Sequence, residues 1–222
     1  MPENATLLPE LRLAAATGAR YIAGVDEVGR GALAGPVSIG VSVFDMQDPL
    51  LQQVPAETGV VDHLDGVRDS KLLTAKARTR WSPIICEHAA AFSVQHRHAE
   101  EIDAVGIGAA MRSAGIAALN AVEQQLGTRL DAVILDGSHD WLTGGTSDRV
   151  RCEVKADVRC LTVACASVIA KVERDRLMEQ LAADHPEYGW HSNRGYGSAA
   201  HRQALTTRGV TRFHRRSWNL GV

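Results

Sequence analysis

Long apolar runs, a secretory leader and paired cysteines are all missing from this 222-residue sequence. No stretch reaches the roughly 18 consecutive apolar residues of a transmembrane helix, and residues 1–10 lack the basic and apolar regions of a secretory signal. The four cysteines show no Cys-x-x-Cys spacing, which argues against a zinc ribbon or a thioredoxin-type centre. We therefore expect a cytoplasmic protein with reduced thiols, no membrane segment and one main domain.

Acidic residues are absent from residues 188–222. The whole chain carries a net charge of −2 and this segment +6, which leaves −8 for residues 1–187. Aromatic residues, whose rings can stack on bases or sugars, are interleaved with its arginines. The asymmetry favours a segment that faces a polyanion, and the alternative is a solvated surface with salt bridges to the acidic body. The arginines are Arg194, Arg202, Arg208, Arg212, Arg215 and Arg216, and the interleaved aromatics are Trp190, Tyr196, Phe213 and Trp218.

The spacing of apolar residues predicts an α/β fold. Strands are predicted over residues 21–26, 37–44, 91–96, 131–136 and 150–154, and helices over residues 74–88, 107–126, 161–184 and 198–207. Residues 45–67 are predicted to be an irregular loop, and Pro83 is expected to start a new helical segment or to kink the first one. Because strands and helices do not alternate strictly, we expect a mixed, partly antiparallel sheet flanked by helices.

Two adjacent carboxylates, Asp26 and Glu27, precede the tripeptide Gly29, Arg30 and Gly31. Neighbouring carboxylates repel and lose hydration unless a cation or a polar network holds them. Mg²⁺ prefers carboxylate and phosphate oxygens, and a glycine-rich backbone can approach a ligand closely. The run therefore indicates a phosphodiester site, and a solvated acidic pair before a turn is the alternative. Because successive strand residues face opposite sides, the two acids share a site only if the strand ends, twists or bulges there.

Two further acids occupy similar positions. Asp136 ends an apolar strand, and Asp157 lies between another predicted strand and a long helix. Acids at the ends of different strands can converge at one edge of a sheet, where they require a metal ion to be stable. Each acid alone has an alternative role in a turn or as a helix cap. Their joint occurrence favours the metal site.

Seven motifs in this order are similar to those of ribonuclease HII, the bacterial type 2 ribonuclease H. They extend from about residue 21 to residue 218 and so cover nearly the whole chain. The first motif alone is specific, and the shared order of seven leaves little room for coincidence. The motifs are residues 24–37 (GVDEVGRGALAGPV), 69–71 (DSK), 134–137 (ILDG), 155–157 (KAD), 166–175 (ASVIAKVERD), 194–197 (RGYG) and 214–217 (HRRS).

The resemblance implies a ribonuclease H-like fold and a metal-dependent endonuclease. It implies hydrolysis of the RNA strand of RNA–DNA hybrids and nicking 5′ of single ribonucleotides in duplex DNA, by two Mg²⁺ or Mn²⁺ ions, with 3′-hydroxyl and 5′-phosphate products. A monomer is expected, with a catalytic domain over residues 1–187 and a basic-aromatic segment over residues 188–222 that packs on it and contacts nucleic acid. The implied metal ligands are Asp26, Glu27, Asp136 and Asp157; the implied substrate contacts are Gly29, Arg30, Gly31, Lys71 and Tyr196.

Several alternatives remain open. Asp148 and Asp175 are rivals for the fourth acid, because the linker from Asp136 to Asp157 is somewhat long for the family; for Asp175 an ion pair on the helix surface is the simpler role. Arg215 and Arg216 are expected to contact backbone phosphates or the body's acids. A nucleic-acid-binding module would not need four acids at strand ends, and a glycosidase would need two carboxyls across a sugar and no metal. A type 3 ribonuclease H, which prefers longer RNA tracts, is the alternative within the family.

Overall fold

A five-stranded mixed sheet forms the centre of the structure, a computed structural model that describes residues 4–222. Across the sheet the strand order is β3-β2-β1-β4-β5. The strands are β1 (Tyr21–Val28), β2 (Val37–Asp45), β3 (Ala91–Arg97), β4 (Ala132–Asp136) and β5 (Val150–Glu153).

The helices flank this sheet and fill the connections. They are α1 (Leu8–Thr17), α2 (Pro49–Gln52), α3 (Ala75–His88), α4 (Ala99–Val105), α5 (Ile107–Leu126), α6 (Ala156–Arg159), α7 (Leu161–Asp184), α8 (Trp190–Asn193) and α9 (Ala199–Arg208). Short 3₁₀ turns occur at Asp62–Leu64, Ser70–Leu72 and Pro186–Tyr188.

The sheet combines an antiparallel half and a parallel half. Strand β1 pairs antiparallel with β2, which pairs antiparallel with β3, whereas β4 runs parallel to both β1 and β5. In the parallel register, Val25 of β1 lies opposite Leu135 of β4. The predicted mixed sheet is therefore confirmed, and the carboxyl ends of β1 and β4 lie side by side.

Helices cover both faces of the sheet. On one face α5 packs its small buried residues against β2 and β3, and on the other face α7 crosses β1 and β2. Strand β1 and α7 approach closely at Gly24, where a Cβ would overlap the backbone of Thr162. The absence of a side chain there lets the first turn of α7 lie directly on the central strand.

Most predicted elements are observed, with local differences. Helices α5 and α7 have the predicted bounds, and β1 extends two residues beyond its predicted end at Asp26. Helix α3 runs through Pro83 as one element, so Pro83 does not begin a new segment. The prediction also missed α4, although the Glu101 side chain accepts the His98 N–H at 2.9 Å at its start.

The C-terminal residues pack on the body through an apolar cluster. Leu33 and Met178 of the body belong to this cluster together with Trp190 and Leu205. Inside the segment, the ring nitrogens of His201 and His214 are 3.1 Å apart. Burial and the proximity of His201 lower the pKa of His214 to about 4, so His214 is neutral at physiological pH. The division of the chain at residue 187 remains a prediction.

Within residues 4–222 no helix alone combines the length and apolar character needed to cross a membrane. Helices α4 and α5 meet both conditions only when they are taken together, and they are bent by 118°. The four cysteines form no disulfide with one another, and Cys160 and Cys165 are buried.

Candidate active site

The topology brings the predicted acids to one edge of the sheet. Asp26 follows Val25 in β1, and Asp136 follows its partner Leu135 at the end of the parallel neighbour β4. Asp157 lies in the first turn of α6, and the main-chain N–H of Ala156 donates to Asp136 Oδ1 at 2.8 Å. Parallel strands end at the same edge of a sheet, so the neighbouring registers of Asp26 and Asp136 explain why these acids meet.

Asp26 is the most buried of these acids, with 2% of its surface exposed. Its Oδ1 accepts the Glu27 N–H at 2.8 Å, and its Oδ2 is a buried oxygen without a hydrogen-bond partner among the described residues. The Ser167 hydroxyl lies close enough to lower the pKa of Asp26 somewhat, but it donates to the Ser70 hydroxyl at 2.8 Å. Burial, together with the charges of Glu27 and Asp136, raises the pKa of Asp26 to about 8.

The remaining acids share this electrostatic environment. Burial raises the pKa of Glu27 and of Asp136, and the nearby Asp157 raises that of Asp136 further. Asp26 and Glu27 are adjacent in an uninterrupted strand, and yet the charge of Asp136 contributes to the raised pKa of both. Asp69, which belongs to the DSK motif but was not among the predicted ligands, is also buried, and burial together with the charge of Asp157 raises its pKa. We call these five residues, Asp26, Glu27, Asp69, Asp136 and Asp157, the acidic cluster.

Two cationic side chains reach the acidic cluster from its rim. The Lys71 Nζ is 3.4 Å from Asp157 Oδ2 and 3.9 Å from Asp69 Oδ1. The Arg30 guanidinium is 3.6 Å from Glu27 Oε1. Both cations are largely exposed, with 70% of the Lys71 and 63% of the Arg30 side chain accessible, so water screens them. The cluster therefore keeps an excess of buried negative charge.

That excess fits a hard divalent cation. Within residues 4–222 no three His, Cys, Asp or Glu side chains converge closely enough to hold a metal ion by themselves. Mg²⁺ sites are nevertheless commonly built from one or two carboxylates together with waters and substrate phosphate. The Oδ2 of Asp26, which has no hydrogen-bond partner within residues 4–222, is an oxygen ligand of the type such an ion needs. The residues thus fit a site that is completed by cation and substrate together.

The predicted tripeptide forms a turn beside the acidic cluster. The Ala32 N–H donates to the Gly29 carbonyl at 3.2 Å, which makes Arg30 and Gly31 the exposed centre of a four-residue turn. Gly29 has φ +82°, and a Cβ at this position would overlap the Arg174 guanidinium. Both the backbone conformation and the lack of space therefore require glycine there. A Cβ at Gly31 would meet no atom within 4 Å, so this position is open.

Tyr196 lies next to the same loop. The preceding Gly195 carbonyl accepts the N–H groups of Leu33 and Ala34, at 2.8 and 3.1 Å. The Tyr196 ring is 39% exposed, and the Arg174 guanidinium lies 5.5 Å from its centroid. The structure therefore brings together the acidic cluster, the tripeptide turn, Lys71 and Tyr196.

Two buried arginines support the turn, a role that was not predicted from the sequence. Arg174 and Arg215 are both 0% exposed. Arg174 donates to the carbonyls of Pro36, Arg194 and Ala34, and Arg215 donates to those of Gly29, Arg30 and Gly35. A signal existed for one of them, because Arg174 lies on the i, i+4 stripe of α7 between the buried Ala170 and Met178. We call Arg174 and Arg215 the buried arginine pair.

The expected roles of the basic residues need correction. Arg215 is fully buried, its guanidinium donates to main-chain carbonyls, and within residues 4–222 it forms no ion pair with an acid. Arg194 forms a 2.6 Å ion pair with Glu179 of the body. The main-chain N–H of Arg216 donates to Asp103, and hydrogen bonds from Ser217 and Arg216, followed by the Arg216 charge, lower the pKa of that acid. Part of the +6 charge of residues 188–222 is thus enclosed in the protein or paired with its acids, which reduces the predicted polyanion-facing charge.

The rival acids lie in other surroundings. Asp175 pairs with Lys171 in the same helix, and lies 3.7 Å from both Arg78 and Arg194. The predicted ion-pair role is confirmed, with partners from several elements. Asp148 is an exposed residue in the loop between β4 and β5. Neither acid belongs to the acidic cluster.

Comparison with known proteins adds an independent line of argument. A family model described as "Ribonuclease HII" matches residues 23–220. The chain is similar to ribonuclease HII of Streptomyces avermitilis, with 44% identity over 216 residues that cover 97% of this chain and 84% of the relative. It is also similar to ribonuclease HII of Roseobacter denitrificans, with 41% identity over 91% of this chain and 92% of the relative.

Solved structures show the same fold. Ribonuclease H2 from Pyrococcus horikoshii matches with a TM-score of 0.69 and 27% identity, covering 90% of this chain and 94% of that one. Ribonuclease HII from Archaeoglobus fulgidus, solved in complex with PCNA, gives 0.67 and 25%, covering 89% and 95%. A Bst ribonuclease HIII in complex with Mn²⁺ gives 0.66 at 21% identity, covering 93% and 70%, which supports the fold alone.

Proposed function

Because the chain belongs to the ribonuclease HII family, whose members are metal-dependent nucleases acting on RNA–DNA hybrids, we propose that it also nicks duplex DNA 5′ of a single embedded ribonucleotide. Cleavage by water with two divalent cations leaves 3′-hydroxyl and 5′-phosphate ends. The observation that carries the proposal is the acidic cluster lying against a turn that exposes the main chain of Arg30 and Gly31.

Asp26, Glu27, Asp136 and Asp157 are the proposed metal ligands. Divalent cations in such a site supply Lewis acidity for the attacking water and for the leaving oxygen. Asp26 is the central ligand, since its burial and its unpartnered Oδ2 leave it most in need of a cation. Either Mg²⁺ or Mn²⁺ suits this oxygen-rich set, and one ribonuclease HIII of the same fold is known in complex with Mn²⁺.

Recognition of RNA over DNA must depend on the 2′-hydroxyl, because only that group differs at a given sugar. The exposed turn at Gly29, Arg30 and Gly31 offers main-chain groups that can hydrogen-bond to it. A site built to bond a hydroxyl discriminates against the sugar that lacks it, since its polar groups then remain unpaired. The half-exposed ring of Tyr196 lies beside this turn and packs on the sugar that follows.

The cationic groups hold the strand in position. Lys71, at the rim of the acidic cluster, is placed to contact the phosphate as the substrate enters. Residues 188–222 contribute their remaining exposed arginines to the duplex backbone, whose charge attracts them without regard to sequence. We propose that the protein works as a monomer, with this segment as part of the nucleic-acid interface.

Cleavage of a DNA duplex containing one ribonucleotide, mapped at nucleotide resolution with Mg²⁺, with Mn²⁺ and with EDTA, tests the proposal. We expect a metal-dependent nick 5′ of the ribonucleotide. Cleavage of long RNA–DNA hybrids without that nick would mean that the enzyme has type 3 specificity. Absence of cleavage on both substrates would contradict the assignment as an active nuclease.

Tyr196 provides a matched pair of variants for the same assay. Tyr196→Ala removes the ring, and we expect it to slow nicking at a single ribonucleotide more than cleavage of a long hybrid. Tyr196→Phe keeps the ring face and should retain most of the activity on both substrates. An equal loss of activity on both substrates in Tyr196→Ala would show that Tyr196 does not distinguish the deoxyribose that follows the ribonucleotide from a ribose.

A further inference from the structure

The buried side chain of Arg215 forms hydrogen bonds with the tripeptide turn on the side that faces the protein interior. Its guanidinium donates to the carbonyls of Gly29 and Arg30, at 2.7 Å each, and to that of Gly35 at 3.2 and 3.3 Å. Arg215 is fully buried, and its guanidinium carbon lies 4.8 Å from the centroid of the Trp218 ring. Burial lowers the pKa of Arg215 to about 9, which still leaves it charged at neutral pH. The contact therefore joins a buried cation to two consecutive peptide groups.

The hydrogen bonds from Arg215 also fix the direction of the N–H groups in the same two peptide planes. In a trans peptide the C=O and the N–H point in opposite directions, and the described residues contain no cis peptide. The carbonyls of Gly29 and Arg30 belong to the same peptide planes as the N–H groups of Arg30 and Gly31. Because Arg215 holds both carbonyls on the protein side, both N–H groups are turned toward the exposed side of the loop.

Both N–H groups are available to a ligand. In the structure described for residues 4–222, neither the Arg30 N–H nor the Gly31 N–H donates a hydrogen bond. Both residues are exposed, and the space around Gly31 is open. Arg30 also places its side chain 3.6 Å from Glu27, so these donors lie beside the acidic cluster. A cation bound to the carbonyl end of each peptide strengthens the donor at the other end.

We propose that Arg215 is a positioning residue that sets selectivity for ribose: it fixes the carbonyls of Gly29 and Arg30 so that the two opposing N–H groups face the substrate 2′-hydroxyl. The inference rests on the proposed function, since it concerns the same substrate and the same turn. Arg215 contacts no substrate atom itself. A lysine cannot replace it, because one ammonium lacks the planar fork that reaches two adjacent carbonyls.

Equilibrium binding in EDTA, where a metal-dependent enzyme does not cleave, tests this role without activity. The probes are two labelled DNA duplexes that differ by one 2′-hydroxyl. We expect the wild-type protein to prefer the ribonucleotide duplex, and Arg215→Lys to lose roughly two- to ten-fold of that preference, the value of one or two hydrogen bonds. The control is Arg216→Lys, which makes the same charge-conserving substitution at the adjacent arginine. It should leave the ratio of the affinities for the two duplexes unchanged.

A second pair of variants acts on the donor itself and does not depend on how well Arg215→Lys folds. Proline is favoured at the second position of such a turn and has no N–H, so Arg30→Pro deletes one donor. Arg30→Ala removes the same side chain and keeps the N–H. We expect Arg30→Pro, compared with Arg30→Ala, to reduce the preference for the ribonucleotide duplex by a similar factor.

The outcomes separate this inference from the proposed function. If Arg215→Lys weakens both duplexes equally, Arg215 has only a structural role and the inference is wrong. A wild-type protein that nicks at the ribonucleotide but binds both duplexes equally also overturns it, while the proposed function stands. A wild-type protein that fails to nick at the ribonucleotide overturns the proposed function.

Discussion

The acidic cluster and the buried arginine pair each gather charges of one sign, but they are completed differently. Arg174 and Arg215 direct their guanidinium groups at main-chain carbonyls of the loop before β2. Among the residues that the structure describes, the acidic cluster has only the exposed Lys71 and Arg30 as counter-charges, and Asp26 retains a buried oxygen without a partner. A buried charge without partners is costly. The arginine pair is therefore a finished structural element, whereas the acidic cluster awaits a ligand.

The largest effect that this contrast predicts is on catalysis. Asp136→Asn keeps the shape of the side chain and removes one metal-ligand charge, so we expect cleavage of the single-ribonucleotide duplex to fall by at least about 100-fold. Binding of the duplex in EDTA should stay within about three-fold, because the fold and the turn are unchanged. Initial rates and fluorescence anisotropy measure the two quantities.

Asp148→Asn is the matched control, since Asp148 is an exposed aspartate outside the acidic cluster. It should cleave at the wild-type rate. Normal cleavage by Asp136→Asn would mean that this acid does not hold the metal.

On the arginine side, the expected effect is on stability. A side chain at Gly29 must adopt φ +82° and displace the Arg174 guanidinium, whereas one at Gly31 enters open space. We expect Gly29→Ala to lower the free energy of unfolding by about 2–4 kcal/mol and Gly31→Ala to change it by less than about 0.5 kcal/mol. Urea unfolding in EDTA measures both values. Equal stability of the two variants would show that the arginine pair yields easily and is not a rigid support.

The two regions also differ in how far the sequence predicts them. Acids at the ends of β1 and β4 indicated a shared edge, because strand ends in a sheet follow simple geometry. The burial of Arg215 had no local signal, since a basic HRRS segment is typical of a surface and its carbonyl partner at Arg30 is 185 residues away. Long-range contacts of this kind depend on how the C-terminal residues pack. The site assignments themselves stay predictions until variants are measured.

The smallest expected effect concerns the stability of the metal-free protein and depends on pH. The pKa of Asp26 is raised to about 8 in the folded state from an ordinary value of 3.8. A raised carboxyl pKa stabilises the fold below the unfolded-state pKa, and this contribution is lost as the pH rises through the folded-state value. The wild-type protein in EDTA should therefore lose stability progressively as the pH rises toward about 8, and this loss should level off above that pH, where Asp26 is charged in both the folded and the unfolded state.

Asp26→Asn removes that titration while keeping the shape of the side chain. Between about pH 6.5 and about pH 9, we expect the free energy of unfolding of the variant to rise relative to wild type by about 2 kcal/mol, because the wild type loses about 1.4 kcal/mol per pH unit until Asp26 ionises near pH 8. Urea unfolding at both pH values gives the difference, and Asp148→Asn should follow the wild-type curve. A gain in stability in a variant that no longer cleaves would show that Asp26 is retained for its chemistry and at a cost to the fold. If the difference between Asp26→Asn and wild type did not change with pH, Asp26 would already be charged at neutral pH, and the acidic cluster would be as well compensated as the arginine pair.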